Sequence, residues 1–170
     1  MRKEGIICME SEIRNLLEDC LQNADKNDLV VIKQVLQGIH QKQGQKKGSY
    51  IGSLLQMVRK LDDYTCELTI PINPLTMNDL GIVHGGITAT AIDSAMGALA
   101  GSLVPSGYAT VTTQLNIHYI APGLGDYLYC KAEIEHRGTK TMVLSATVHT
   151  STGKKIAKST GSFFIIEREK

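Results

Sequence analysis

The residues with the most chemical content lie in one run, His84-Gly85-Gly86-Ile87-Thr88-Ala89-Thr90-Ala91-Ile92-Asp93. From Ile87 to Val104 the pattern reads as a helix whose only charge is Asp93. A helix start leaves N–H groups without intrahelical partners and carries a partial positive charge, and glycine admits a ligand close to the backbone. His84-Gly85-Gly86 therefore suits a carbonyl oxygen that gains negative charge; its plainer reading is a glycine turn that starts the helix. Asp93 stands at helical spacing from Ala89, Thr90, Met96, Gly97 and Ala100, on a face of small and apolar residues. A carboxylate there needs a partner or a task. The partner would be backbone or a neighbouring Thr; the task would be general base or nucleophile. Asp93 stands eight positions after Gly85, about 12 Å along a helix, so one carbonyl cannot meet both in one chain. If both act on one substrate, two such helices must pack antiparallel about a twofold axis.

The flanking elements differ in period on the two sides of residue 50. Ile13, Leu16, Leu17, Cys20 and Leu21 mark one amphipathic helix, and a polar break spans Asn23 to Asn27. Leu29, Ile32, Val35, Leu36 and Ile39 mark a second helix, with Asn27 or Asp28 as its N-cap. Gln41 to Ser49 reads as a flexible linker, so the organisation is a helical hairpin over 1–49 and a second domain over 50–170. In that domain Tyr64 to Ile72 alternates as a half-buried strand, and a Thr-rich strand runs from Tyr108 to Ile120. Further strands carry Leu128, Cys130, Ala132 and Ile134; then Met142, Leu144, Ala146 and Val148; then a final run to about Ile166. A strand at Ile51 to Lys60 brings the expected number to six, and short turns make the last four an antiparallel meander. The fold class is α+β, with the sheet wrapped around one long central helix.

Composition excludes several partners. The chain has 170 residues, 18 Lys+Arg against 17 Asp+Glu and a net charge of +1, which leaves no broad footprint for nucleic acid or an anionic membrane. The absence of Trp and the presence of only two Phe argue against a stacking platform for single strands. The helical hairpin is close to neutral, so packing or oligomerisation suits it better than DNA binding. The central helix approaches membrane-spanning length, but its Thr, Ser and Gly content and its carboxylate point to a helix inside a protein. Cys8, Cys20, Cys66 and Cys130 are widely spaced, with neither a C-x-x-C nor a metal-ligand cluster. Free thiols in a cytoplasmic protein follow, and Met9 is an alternative start to Met1.

Asn78, the His84 to Asp93 run, and Gln114-Leu115-Asn116-Ile117-His118-Tyr119-Ile120-Ala121-Pro122 together resemble hotdog-fold acyl-CoA thioesterases. The similarity covers about Tyr50 to Ile166 and leans to the phenylacetate-degradation-type and 4-hydroxybenzoyl-CoA thioesterase-like branch with an H-G-G…Asp pattern. It implies a cofactor-independent hydrolase of acyl-CoA, with no metal, acting as a homodimer or tetramer with sites between subunits. Asp93 matches the family's general base or nucleophile, and Gly85 the backbone donor to the thioester carbonyl. Asn78 matches a residue that positions water or carbonyl, and His84 supports that loop. Thr112 stands where some members carry a water-holding Ser. Gly86 is a further substrate-binding candidate, and Arg137 and Lys140, flanking a hairpin turn, are candidates for the CoA phosphates. His118, read on the same strand face as Thr112, Gln114 and Asn116, is expected as a sheet or interface residue. The alternative is a non-catalytic acyl-CoA sensor whose N-terminal helices form the effector arm.

Overall fold

Alternation along β2 (Thr65–Pro71) turns Cys66, Leu68 and Ile70 to one side, and the same period recurs in β4 (Tyr127–Arg137), β5 (Thr141–Thr150) and β6 (Lys155–Glu167). The computed structural model describes residues 3–45 and 48–168. Register stacks the inward residues across strands: Leu68 faces Cys130, Cys130 faces Val148, and Val148 faces Ala157. The small side chains Ala132, Ala146, Ala157 and Ser159 are buried along this face and leave room for a helix. That helix is α4 (Gly85–Ser102), which buries Ala91, Ile92, Ala95, Met96, Leu99 and Ala100. The six strands form one antiparallel sheet in the order β1-β2-β4-β5-β6-β3 around α4, where β1 is Val58–Leu61 and β3 is Tyr108–Tyr119. This is the sheet wrapped on a central helix that the resemblance implied.

Four expectations are corrected. Ile51 to Lys60 is not one strand: Tyr50–Leu54 forms a short helix, α3, and only β1 is extended. Ser49 caps α3 by accepting from the Gly52 N–H at 3.2 Å, and Gln56 takes a positive φ of 50° that breaks the chain direction before β1. The last four strands are not a simple meander, because β3 pairs with β6 and not with β4. The connection after β3 crosses the end of the sheet: the Ile120 and Ala121 N–H groups both donate to the Ile156 carbonyl, and the Asp126 N–H donates to Ser151 Oγ. Beyond that crossing, β4 starts three positions from β3, with β6 and β5 between them. The N-cap of the second helix is Asp25, in a capping box with Asp28, because a carboxylate three residues upstream reaches the Asp28 N–H. Finally, α1 (Lys3–Asn23) and α2 (Lys26–Gly44) leave a break of only Ala24 and Asp25, and α2 takes up Gln41 to Gly44 of the expected linker.

α2 is fastened to the rest of the chain. Buried Gln34 donates to the Leu54 carbonyl at 2.7 Å and accepts from Asn73 Nδ2 at 2.6 Å. Gly38 makes the contact close: a Cβ there would lie 2.8 Å from Leu54 Cα and from the Ser53 carbonyl oxygen. Alanine normally gains about 1 kcal/mol over glycine inside a helix, but here it meets backbone that cannot yield. Gly38→Ala is therefore expected to destabilise by about 1–3 kcal/mol, read as a lowered thermal midpoint. An unchanged or raised midpoint would refute the tight α2–α3 contact. α1 extends beyond this anchor, and a groove of about 270 Å³ runs between Leu16 and Leu17 on α1 and Val31 and Val35 on α2. No described helix is long and apolar enough to cross a membrane.

Candidate functional site

The local sequence positions the start of α4 through its own side chains. His84 is the N-cap, with φ −61° and ψ 133°, and its Nδ1 accepts from the Gly86 N–H at 2.9 Å. The His84 carbonyl accepts from the Ile87 and Thr88 N–H groups at 3.0 and 3.2 Å. This moves the helix start to Gly85, two residues before the expected Ile87, because the imidazole satisfies a donor that the first turn leaves free. One N–H of this turn, that of Gly85, donates to no group among the described residues. Gly86, grouped with Gly85 as a substrate contact, already spends its N–H on His84.

Gly85 opens onto a cleft of about 320 Å³ whose lining includes Asn78, Ile82, Tyr119, Ile120 and Pro122. Asn78 and Gly85 are thus brought together from a loop and a helix start. Asn78 Oδ1 accepts from the Leu80 and Ile82 N–H groups at 3.0 and 3.4 Å, so it folds its own loop. Its Nδ2 makes no hydrogen bond among the described residues and is the end left for another molecule.

Asp93 lies on the half-exposed side of α4, and Thr112 Oγ1 donates to its Oδ1 at 2.7 Å. The expected Asp–Thr proximity is present, through a strand residue nineteen positions away and not through the helical neighbour Thr90. Thr112 reaches Asp93 because β3 carries a bulge between Thr112 and Gln114, which flips the alternation. Thr112 therefore shares its face with Leu115 and Ile117, which pack on the core. Gln114, Asn116 and His118 lie on the other face, correcting the expectation that Thr112 goes with them. Tyr119 falls in phase with Leu115 and Ile117 and was given no role by the sequence. The bulge hid the strand phase that would have pointed to it.

Arg137 and Lys140 are not part of this cluster. The Arg137 guanidinium donates to the Leu103 carbonyl at the C-terminal end of α4, where a cation and unpaired carbonyls attract. Lys140 is exposed in the β4–β5 turn. Burial pushes the Cys130 thiol up to about 12, and burial likewise raises that of Cys66; neither is a thiolate nucleophile near neutral pH. Among the described residues no three His, Cys, Asp or Glu side chains converge to hold a metal ion.

Fold and site together define an α+β hotdog protein with a free backbone donor at a helix start and a carboxylate farther along the same helix. The sequence model of the thioesterase superfamily matches residues 80–157. A Saccharolobus solfataricus protein classed as a candidate esterase is 30% identical over 122 residues, covering 71% of this chain and 86% of that one. Mouse acyl-coenzyme A thioesterase 13 is 34% identical over 84 residues, covering 48% of this chain and 59% of the mouse protein. A Bacillus halodurans protein solved with CoA superposes with a TM-score of 0.83 at 38% identity, covering 89% of this chain and 99% of that one. The chain belongs to the thioesterase superfamily, and the expectation of a thioester hydrolase holds at that level.

Proposed function

We propose that the protein hydrolyses an acyl-CoA thioester to a carboxylic acid and CoA, at a site shared between two copies of the chain. The observation that carries this reading is the Gly85 N–H at the start of α4, which donates to no group among the described residues and belongs to a residue lining a cleft. A thioester carbonyl oxygen placed there gains a preorganised donor and the positive end of a helix as its negative charge develops.

Asp93 of the second copy supplies the attack. As a base it takes a proton from water, and hydroxide adds to the carbonyl carbon. As a nucleophile its oxygen adds directly, and water later cleaves the resulting anhydride. On either path the C–S bond breaks, the thiolate is protonated, and water is the only co-reactant. Asp93 stands eight positions beyond Gly85, about 12 Å along α4, which favours drawing the carboxylate from the second copy. β3 ends the sheet, and its outer edge pairs with no strand among the described residues; pairing it with itself about a twofold axis would bring two α4 helices side by side. The CoA-bound Bacillus halodurans relative supports CoA as the leaving group. Arg137 at Leu103 is ten residues beyond Asp93, about 15 Å along the helix, which suits the CoA arm more than the carbonyl.

The test is a panel of acyl-CoA substrates followed by loss of thioester absorbance. Turnover supports the proposal; tight binding of every acyl-CoA without turnover overturns it in favour of a sensor. That second reading draws on the apolar groove between α1 and α2, which an effector arm would use. The Thr112 contact gives a separate prediction. Thr112→Val removes the hydroxyl donor on Asp93 and is expected to lower kcat about tenfold, whereas Thr112→Ser stays within about twofold. Equal rates for both variants would detach Thr112 from the reaction.

A further inference from the structure

Glycine at 85 and again at 86 leaves the start of α4 free to take many conformations, yet a catalytic donor must be aimed before the charge develops. Two consecutive peptide groups decide where the Gly85 N–H points. The first joins His84 to Gly85; its carbonyl is held by the Ile87 and Thr88 N–H groups at 3.0 and 3.2 Å, so its opposite end, the Gly85 N–H, points away from the helix. The second joins Gly85 to Gly86; its carbonyl begins the backbone ladder of α4, and each of its polar ends is in addition held by a side chain. The Gly86 N–H donates to His84 Nδ1 at 2.9 Å, and the Gly85 carbonyl accepts from Tyr119 Oη at 3.0 Å. The Tyr119 ring also backs the glycine, since a Cβ on Gly85 would lie 3.5 to 3.6 Å from its edge.

We infer that Tyr119 is a positioning residue for the reaction: its hydroxyl holds the Gly85 carbonyl so that the neighbouring Gly85 N–H stays aimed into the cleft. Three of the four polar ends of the two peptides are occupied, and the unoccupied one is the donor the reaction needs. His84 supplies its hold from within the same turn. Among the described residues, Tyr119 supplies the only side-chain hold on these two peptides from another element, the end of β3, which the Ile120 and Ala121 hydrogen bonds to Ile156 tie to the sheet. It thereby ties the glycine pair to the sheet.

This inference rests on the reading of Gly85 as the carbonyl donor, and the experiment separates the two. Tyr119→Phe keeps the ring and deletes only the hydroxyl; it is expected to lower kcat about tenfold with KM within about twofold and the thermal midpoint unchanged. The same substitution is then made in a Gly85→Pro background, which lacks the N–H. If Tyr119 acts through that N–H, it costs nothing further there, a non-additive pair. An unchanged kcat for Tyr119→Phe, while Gly85→Pro is impaired, overturns the role of Tyr119 and leaves that of Gly85 standing. Equal fold losses in both backgrounds also overturn it, because Tyr119 then acts independently of the donor. Full activity of Gly85→Pro removes both assignments together.

Discussion

Asp93→Asn is expected to lower kcat for acyl-CoA hydrolysis by about 10³-fold, within the range that a positioned base or nucleophile contributes. The substitution is nearly isosteric. The amide oxygen still accepts from Thr112 Oγ1, which lies 2.7 Å from the carboxylate, so placement is retained while basicity and nucleophilicity are lost. Asp93→Ala should lose as much, and its thermal midpoint should hold, because alanine is the better helix former and the site is only half-buried. Activity and stability therefore separate, which a structural role for Asp93 does not allow. Wild-type turnover in both variants would remove Asp93 from the mechanism. Single-turnover hydrolysis in oxygen-18 water bears on the two chemical paths: label in the enzyme's carboxylate shows an anhydride cleaved at the Asp93 carbon, and so a nucleophile, whereas label in the product alone fits a base or an anhydride cleaved at the acyl carbon.

The second large effect is expected from Gly85→Pro, which deletes the N–H and puts a pyrrolidine ring in its place beside Tyr119. Gly85 is the first residue of α4, the position where proline is best tolerated in a helix. The residue before it, His84, already has the extended ψ of 133° that a following proline requires. No described hydrogen bond is lost, since the Gly85 N–H makes none. Loss of a single oxyanion donor costs about 10² to 10³ in kcat, and that loss is expected here with the fold retained. Activity within a few-fold of the parent would show that the carbonyl is held elsewhere. Co-expressing the Gly85→Pro and Asp93→Asn chains then tests the shared site. Each mixed dimer contains one site with both groups intact, so a statistical mixture recovers about a quarter of parent activity. If each site lies within one chain, no recovery occurs.

Local periodicity made much of this chain legible. The alternation of Cys66, Leu68 and Ile70, and of the strands that follow, reports contacts made on one face of a single element. The one carboxylate in a helix of small residues, and the His-Gly-Gly before it, likewise need only helical geometry to be noticed. The short α3 was less legible, because Ile51 to Lys60 contains apolar residues at spacings that suit a strand as well as a turn of helix. What separated the two was Ser49 capping Gly52 and the positive φ at Gln56, and neither leaves a hydrophobic period.

The strand order escaped the sequence for a different reason. β3 joins β6 through a crossing connection held by Ile156 and Ser151, and pairing partners so far apart in the chain leave no local mark. The bulge at Thr112/Gln114 is of the same kind. One extra residue turns Thr112 and Tyr119 onto the helix side of the sheet and sends Gln114, Asn116 and His118 to the other side. By itself, then, the sequence determined that a helix start rich in glycine stands eight residues from a lone carboxylate, and that strands wrap that helix. The tertiary structure alone decided which N–H remains free, because that depends on who satisfies its neighbours. His84 takes the Gly86 N–H, and Tyr119, thirty-four residues beyond Gly85, takes the Gly85 carbonyl. Hydrogen-bond capacity left over at one atom is a property of the assembled fold, since every competing donor and acceptor must be in place before the remainder exists.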